Sequence, residues 1–199
     1  MTMADFQRII KTGLYFGSFN PIHIGHLAIA NFIIEFSDLE QIWFVVSPQN
    51  PLKEKKSLLK DYHRLEMVRL AIEGDDRFQA SDIEFRLPTP SFTIDTLTYL
   101  SEKHPGREFQ LVMGSDGLKT FHKWKNADLI TRHYHRLIYP RPGSDMMELS
   151  KTPNATIVDA PLMEISSSFI RRAVQSGKDV RHLVPASAYT YMREMHFYE

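Results

Sequence analysis

The chain contains 199 residues, of which 43% are hydrophobic, and its 24 basic and 24 acidic side chains give a formal net charge of zero. This length predicts a single domain over residues 1–199, and the neutral balance disfavours nucleic acid or a membrane surface as the partner and favours a small anionic ligand. Cysteine is absent, which excludes disulfides and thiolate chemistry, and no apolar run reaches the roughly 18 residues of a membrane span, so we expect a cytoplasmic protein.

Strand-like and helix-like patterns alternate along the chain. Apolar runs rich in β-branched and aromatic residues predict strands at residues 11–16, 41–46, 78–82, 108–113, 136–139 and 155–158. Apolar residues at helical spacing predict helices at residues 25–36, 61–72, 92–103, 167–176 and 186–196, whereas 53–60 and 141–153 are expected to be loops. The alternation predicts an α/β fold with a doubly wound, Rossmann-like parallel sheet, whose ligands bind at the carboxyl ends of the strands.

The turn after the first predicted strand carries the clearest chemical signal. Residues 17–26 read Gly-Ser-Phe-Asn-Pro-Ile-His-Ile-Gly-His, and a predicted helix follows. A helix N-terminus offers unpaired N–H groups and a positive dipole end, so His23 and His26 can join it in donating hydrogen bonds to a polyphosphate. Gly17 permits a tight turn, and Gly25 permits a ligand to approach the backbone closely. The alternatives are a pair of helix-capping histidines or a metal site, but no third metal ligand lies close in sequence.

This segment resembles the H-x-G-H signature of the nucleotidyltransferase superfamily. In related enzymes a loop after the second strand reads P-x-x-x-P-H-K, and residues 48–53 read Pro-Gln-Asn-Pro-Leu-Lys here. Leu52 replaces the histidine, so the resemblance transfers only Lys53, which could neutralise phosphate charge on either substrate. The alternative is a polar loop with a solvated lysine.

The helix predicted from residue 92 begins with a second family pattern. Residues 91–97 read Ser-Phe-Thr-Ile-Asp-Thr-Leu and resemble the S-Y-T-x-D-T-L run of nicotinate-nucleotide adenylyltransferases, with Phe92 in place of tyrosine. In that family the threonine and neighbouring N–H groups meet the nicotinate carboxylate, which implies this role for Thr93. Helix N-terminal N–H groups favour a carboxylate over a neutral amide, and so nicotinate over nicotinamide. The alternative is an amphipathic helix capped by Ser91.

A third pattern follows the fourth predicted strand. Gly114-Ser115-Asp116 precedes Phe121 and Trp124, and this order resembles the G-x-D…F…W pattern of the same family. The resemblance implies that Asp116 lies beside the adenosine ribose and that Trp124 stacks on the pyridine ring. Lys125 stands where the family often has tyrosine, so a second stacking ring is not expected. The alternative is a strand-end turn with two core aromatics.

Two further segments complete the family's order of motifs. Residues 141–143 resemble the family's R-R-P-G loop near adenine, with Pro140 in place of its first arginine, and mostly backbone contacts are expected from this loop. Residues 165–171 read Ile-Ser-Ser-Ser-Phe-Ile-Arg and resemble the I-S-S-S/T-x-I-R signature, which grips the β- and γ-phosphates of ATP. Hydroxyl groups at a helix start with an arginine one turn later suit an anion, although Ser166 is also a good plain N-cap.

By the order of these motifs, the chain is identified as a member of the nicotinate-nucleotide adenylyltransferase family. The resemblance implies transfer of AMP from ATP to nicotinate mononucleotide, with Mg²⁺ carried on the ATP phosphates, no nucleic acid or membrane partner and a possible homo-oligomer. The catalytic residues it implies are His23, His26 and Arg171. The ATP-binding residues it implies are Gly17, Ser18, Phe19, His23, Gly25, His26, Gly114, Asp116, Arg141, Ser166, Ser167 and Arg171. The acceptor-binding residues it implies are Asn20, Lys53, Ser91, Thr93 and Trp124.

Three alternatives stay open at this point. The acceptor could be nicotinamide mononucleotide. Phosphopantetheine adenylyltransferases share the first and last motifs, but they are shorter and lack the Ser-Phe-Thr and Phe…Trp patterns. A nucleotide sensor could keep the fold without catalysis, although such a module has no need for transition-state groups such as His26 and Arg171.

Overall fold

A single parallel sheet forms the centre of the computed structural model, which describes residues 8–48 and 58–199. Its strands are β1 (Ile10–Gly17), β2 (Gln41–Val46), β3 (Phe78–Ser81), β4 (Arg107–Gly114), β5 (Arg136–Tyr139) and β6 (Ala155–Ile157). They pair in the order β3-β2-β1-β4-β5-β6, with every pair parallel. The chain changes direction across the sheet between β1 and β4, so their carboxyl ends mark the switch point at which doubly wound sheets bind ligands.

Helices cover both faces of the sheet. They are α1 (Ile24–Phe36), α2 (Asp61–Ile72), α3 (Thr93–Lys103), α4 (Ser115–Phe121), α5 (Ala127–His133), α6 (Met146–Ser150), α7 (Ser167–Gln175) and α8 (Ala186–Glu194), with a 3₁₀ turn at Ile83–Phe85. One core contains side chains from α1, α2, α7 and α8, and the other contains side chains from α3 to α6. No helix of the described residues is long and apolar enough to cross a membrane.

The sheet is buried on both faces, which explains why its strands are almost continuously apolar. Neighbouring residues of β1 point to opposite faces, so Leu14 packs in one core and Tyr15 in the other. The parallel register places Trp43 of β2 beside Leu14, and Phe44 beside Tyr15. Each core therefore receives alternate residues from the same strands.

The predicted α/β doubly wound fold is confirmed, and the predicted strands and helices agree with the structure to within two residues at each end. The prediction of a loop over residues 141–153 is wrong, because α6 lies within it. Asp145 caps that helix by accepting hydrogen bonds from the N–H groups of Met147 and Glu148. The helices α4 and α5 were also not predicted. At seven residues each, they are too short to show a helical period in the sequence.

Candidate active site

A cavity of about 800 Å³ opens at the carboxyl ends of the strands. Residues predicted from separate motifs meet in its wall, and they are Gly17, Ser18, Phe19, Asn20, His23, His26, Ser91, Thr93, Gly114, Asp116, Trp124, Arg141, Ser166, Ser167 and Arg171. Lys53 lies outside the described residues. The loop after β1 and the start of α7 are joined by hydrogen bonds, and we call them the β1–α7 cluster. The 3₁₀ turn, the start of α3 and the segment from α4 to Lys125 form the α3–α4 cluster.

The two histidines of the β1–α7 cluster form a stacked pair. Their ring centroids lie 3.7 Å apart, with 27° between the ring planes. The backbone N–H of His23 donates to Nδ1 of His26 over 3.2 Å. Because Nδ1 of His26 accepts this hydrogen bond, the proton of the neutral ring is assigned to Nε2. His26 therefore has a tautomer fixed by its own helix start.

His23 is a buried and neutral histidine. Its side chain is 4% exposed, and burial together with the positive charge of Arg141 lowers its pKa to about 4. Its Nδ1 atom is buried and has no hydrogen-bond partner among residues 8–48 and 58–199. At neutral pH the ring consequently supplies hydrogen-bonding atoms to the cavity without a positive charge.

Gly25 packs closely against the ring of His23. It is not part of the cavity wall, and a Cβ atom at this position would lie 3.1 Å from Nδ1 and 3.2 Å from Cε1 of His23. Such contacts are tighter than ordinary van der Waals packing. The glycine therefore makes room for the His23 ring, and the close approach of a ligand to its backbone stays a prediction.

The start of α7 is fastened to the loop that follows β1. The Ser167 hydroxyl donates to the carbonyl oxygen of Pro21 over 2.8 Å, and Nη1 of Arg171 donates to the carbonyl oxygen of Asn20 over 2.7 Å. The Ser166 hydroxyl accepts from the N–H of Phe169, as a plain N-cap does. The first and last motifs of the sequence therefore form one unit, and Ser166 fulfils the capping alternative while it also lines the cavity.

Arg64 supports the same loop, and none of the sequence motifs includes it. Its side chain is 0% exposed, so its positive charge lies on the buried face of α2. The guanidinium donates to the carbonyl oxygens of Ser18 (2.6 Å), Ser47 (2.8 Å) and Pro48 (3.3 Å), and to the carboxylate of Asp61 (2.6 Å). It therefore ties the loop after β1 to the loop after β2. A charged residue on an otherwise apolar helix stripe is the signal that could have revealed it.

Asn20 was predicted to bind the acceptor, and its side chain also holds the loop. Its Oδ1 atom accepts from the Tyr198 hydroxyl over 2.7 Å and from the N–H of Leu59 over 3.3 Å. Burial raises the pKa of Tyr198 well above its ordinary value, so the hydroxyl keeps its proton and remains a donor. The Tyr198 hydroxyl thus holds a residue of the cavity wall in place, through a contact between distant positions that no local motif indicates.

The ends of β4 and β5 meet on another side of the cavity. The N–H of Arg141 donates to the Ser115 hydroxyl over 2.9 Å, so this group of the 141–143 loop is engaged within the protein. The Arg141 guanidinium lies over the Tyr139 ring at 5.3 Å, and its Nε lies 3.9 Å from a carboxylate oxygen of Asp116. Arg141 therefore presents its side chain, rather than its main chain, to the cavity.

Thr93 is the first residue of α3 in the α3–α4 cluster. The preceding N-cap residue, Phe92, makes no capping hydrogen bond with its side chain. Ser91 is one residue too early to cap the helix, so that alternative is wrong. Its hydroxyl donates instead to the carboxylate of Glu84 over 3.1 Å. The N-terminal turn of α3 thus faces the cavity without a capping side chain.

Trp124 and Lys125 complete this cluster. The Trp124 ring lies 5.3 Å from the ring of Phe121 and forms part of the cavity wall. The Lys125 ammonium lies 2.9 Å from the carboxylate of Asp95 and 4.8 Å above the ring of Phe92. A flat aromatic face and a positive charge therefore adjoin the uncapped start of α3.

The chain is similar to known proteins over most of its length. The cytidylyltransferase-like family matches residues 14–173. The chain is 49% identical over 192 residues to a probable nicotinate-nucleotide adenylyltransferase of Flavobacterium johnsoniae. The matched region covers 96% of this chain and 100% of that protein. It is 51% identical over 175 residues to the Cytophaga hutchinsonii protein of the same name, covering 88% and 91% of the two chains. The Plasmodium falciparum nicotinic acid mononucleotide adenylyltransferase complexed with NaAD shares the fold, with a TM-score of 0.79, 21% identity and coverage of 95% and 97%.

Proposed function

Since the chain belongs to the nicotinate-nucleotide adenylyltransferase family, within the cytidylyltransferase-like proteins, we propose that it makes a dinucleotide for NAD biosynthesis. The reaction transfers AMP from ATP to nicotinate mononucleotide and gives nicotinate adenine dinucleotide and pyrophosphate. One observation carries the proposal: a single cavity at the switch point joins the histidine pair, the start of α7 and the α3–α4 cluster. Groups suited to a triphosphate and groups suited to a pyridine carboxylate therefore line the same space.

The reaction needs no protein nucleophile. A 5′-phosphate oxygen of the acceptor forms the new bond to the α-phosphorus of ATP, and the bond from that phosphorus to the bridging oxygen of the β-phosphate breaks. Catalysis then consists of positioning and of stabilising the charge on the phosphoryl oxygens. We assign Nε2–H of His26 to the α-phosphate, because its tautomer is fixed by the hydrogen bond at Nδ1. His23 serves the neighbouring phosphates as a neutral hydrogen-bonding group.

The leaving pyrophosphate is assigned to the start of α7. Ser166 and Ser167 bring hydroxyl groups and helix N–H groups to this position, and Arg171 brings a guanidinium. Because Ser167 and Arg171 already contact the loop that carries the histidines, the groups for the α-phosphate and for the leaving group are held in one frame. The adenosine is assigned to the segment around Gly17 together with Gly114, Asp116 and Arg141, which line the cavity between β1 and β5.

The acceptor is assigned to the α3–α4 cluster. The pyridine ring stacks on Trp124, since the face of a flat ring is its largest surface. The nicotinate carboxylate meets Thr93 and the uncapped start of α3, where a negative charge is favoured. Ser91 contributes by fixing its segment of the wall through its hydrogen bond to Glu84, and Asn20 does so through its hydrogen bond from Tyr198. Lys53 is assigned to substrate phosphate on the basis of the motif alone.

Mg²⁺ is proposed to enter with ATP. The groups at the β1–α7 cluster are hydrogen-bond donors and a guanidinium, which suit phosphate oxygens rather than a cation. Over the described ranges, no group of three His, Asp or Glu side chains could hold a metal ion. When bound, Mg²⁺ neutralises phosphate charge and keeps most of its water ligands.

One assay tests the function and separates its rivals. Pyrophosphate release from Mg-ATP is measured with nicotinate mononucleotide, nicotinamide mononucleotide and phosphopantetheine in turn. We expect turnover with the first, and a much lower kcat/KM with the second and the third. Turnover restricted to nicotinamide mononucleotide or to phosphopantetheine would replace the proposed acceptor. ATP binding without pyrophosphate release from any acceptor would indicate a nucleotide sensor.

A further inference from the structure

Glu84 is a buried acid in the cavity wall, and the proposed reaction assigns it no contact with a substrate. It lies in the 3₁₀ turn Ile83–Phe85, and its side chain is 3% exposed. Its carboxylate accepts from the hydroxyls of Ser91 (3.1 Å) and Thr96 (2.9 Å), and Ser47 contributes a further hydrogen bond. These hydroxyls link the end of β2 to the start of α3.

Within the described residues, the carboxylate has hydrogen bonds but no oppositely charged partner. Across residues 8–48 and 58–199, its partners are hydroxyl groups, and no ionised side chain contributes to the change in its pKa. Burial is the main cause of that change and raises the pKa of Glu84. A buried carboxylate without a counter-ion is costly to a protein, because hydroxyl groups offset only part of the lost hydration. A cation entering the cavity beside it would remove that cost.

The proposed acceptor carries such a cation. The ring nitrogen of a pyridine nucleotide is bonded to the ribose, which gives the ring a permanent positive charge. Resting on the proposed function, we propose that Glu84 is a specificity-determining residue that selects an acceptor with a positively charged ring. Its carboxylate lies in the wall that also contains Thr93 and Trp124, to which the acceptor is assigned. Thr93 recognises the carboxylate substituent, and Glu84 recognises the charge of the ring itself.

The experiment compares two acceptors that differ only in ring charge. One is nicotinate mononucleotide, and the other is the C-nucleotide in which a 3-carboxyphenyl ring replaces the pyridinium. Glu84→Gln keeps the size of the side chain and its capacity to bond Ser91 and Thr96, and it removes the negative charge. We expect this variant to lower kcat/KM for nicotinate mononucleotide about 10- to 100-fold, as removal of one member of a buried charge pair does. The kcat/KM for the C-nucleotide should change by less than about twofold.

A matched variant separates charge from support of the wall. Thr96→Val removes a hydrogen bond to the same carboxylate and keeps its charge. It should affect both acceptors equally and preserve the preference for the charged ring. An equal fall for both acceptors in Glu84→Gln would overturn the proposal, since it would show that Glu84 acts only as structural support.

The unaltered enzyme provides a measure that does not depend on folding of a variant. It should use nicotinate mononucleotide at least about tenfold more efficiently than the C-nucleotide. Equal kcat/KM for the two acceptors would overturn the role of Glu84 while leaving the proposed function intact. Failure to use nicotinate mononucleotide at all would instead contradict the proposed function.

Discussion

The two clusters that form the cavity are held together by different kinds of contact. The β1–α7 cluster is held by buried or partly buried side chains that bind its main-chain carbonyls, as Arg64 of α2 does at Ser18 and Arg171 does at Asn20. In the α3–α4 cluster, side chains bind other side chains, as Lys125 does at Asp95, and that pair is 43% and 46% exposed. Contacts to the main chain do not depend on which side chain stands at the contacted position. We therefore expect the proposed phosphate site in the first cluster to depend on buried contacts, and the proposed acceptor site in the second to depend in part on exposed charges.

The largest effect is expected from the histidine of the β1–α7 cluster assigned to the α-phosphate. His26→Ala removes a donor that acts on charge developing in the transition state, so kcat should fall about 10²- to 10³-fold while KM for ATP changes little. Steady-state kinetics with nicotinate mononucleotide measures both constants. His122→Ala alters an exposed histidine outside the cavity wall and is the control. A kcat close to that of the unaltered enzyme would remove His26 from the reaction.

The support beneath that loop gives the second effect, on stability. Arg64→Met leaves the carbonyl oxygens of Ser18 and Ser47 buried without their donor, so the free energy of unfolding should fall by about 3 kcal/mol. Urea unfolding measures this change. Arg69→Met on the same helix removes an exposed arginine and should cost less than about 0.5 kcal/mol. Equal losses of stability for the two variants would show that the buried hydrogen bonds of Arg64 contribute no more than an exposed arginine does.

The third effect is a pH dependence that belongs to the same cluster. His23 has a pKa of about 4 in the folded protein and 6.5 when unperturbed, so the unfolded chain binds more protons between these values. Its contribution to stability is complete above pH 6.5 and is lost as the pH falls towards 4. Between pH 7 and pH 5 we expect a loss of about 2 kcal/mol.

Unfolding of His23→Asn at both pH values tests this contribution, because the variant should lose less stability on acidification than the unaltered protein. His122→Gln, at an exposed histidine, should retain the full loss. The same pH dependence in His23→Asn and in the unaltered protein would show that His23 is not the titrating group.

Glycine substitutions compare the two clusters directly, with an expected effect of about tenfold. Gly25→Ala brings a Cβ within 3.1 Å of the His23 ring, which is fixed by its stacking on His26. A displaced ring should lower kcat about tenfold, as small misplacements in a positioned site do. Gly117→Ala brings a Cβ within 2.9 Å of Cε of Met113, the end of a flexible side chain that can move aside. Equal falls in kcat would contradict the contrast between the clusters.

The fold was predictable from sequence where elements were long, and not where they were short. The strands are marked by apolar runs, and the helices α1, α2, α3, α7 and α8 carry apolar residues at helical spacing. The helices α4, α5 and α6 span at most two turns, so their boundaries depend on local caps such as Asp145. For α6 the cap was visible in the sequence, since Asp145 stands three residues before Glu148.

The site was predictable in its motifs and not in its supports. The motif segments around His23, Thr93 and Arg171 meet in one cavity, as the ends of parallel strands require. Arg64 and Tyr198 belong to none of the motifs, and each acts through contacts with residues distant in sequence. Tyr198 lies 178 positions from its partner Asn20, and such a contact arises only from the tertiary fold. Sequence motifs therefore record groups that face the ligand more readily than groups that hold those groups in place.

The smallest effect is expected at the exposed charge of the α3–α4 cluster. Lys125→Met should lower kcat/KM for nicotinate mononucleotide about threefold and leave nicotinamide mononucleotide unchanged, because the ammonium adjoins the proposed carboxylate site but is half-exposed and paired with Asp95. Lys119→Met removes the same charge outside the cavity wall and should change neither acceptor. A fall above about 30-fold would mean that this exposed charge is as decisive as the buried carboxylate of Glu84. The contrast between them predicts otherwise, because water screens Lys125 and is excluded from Glu84.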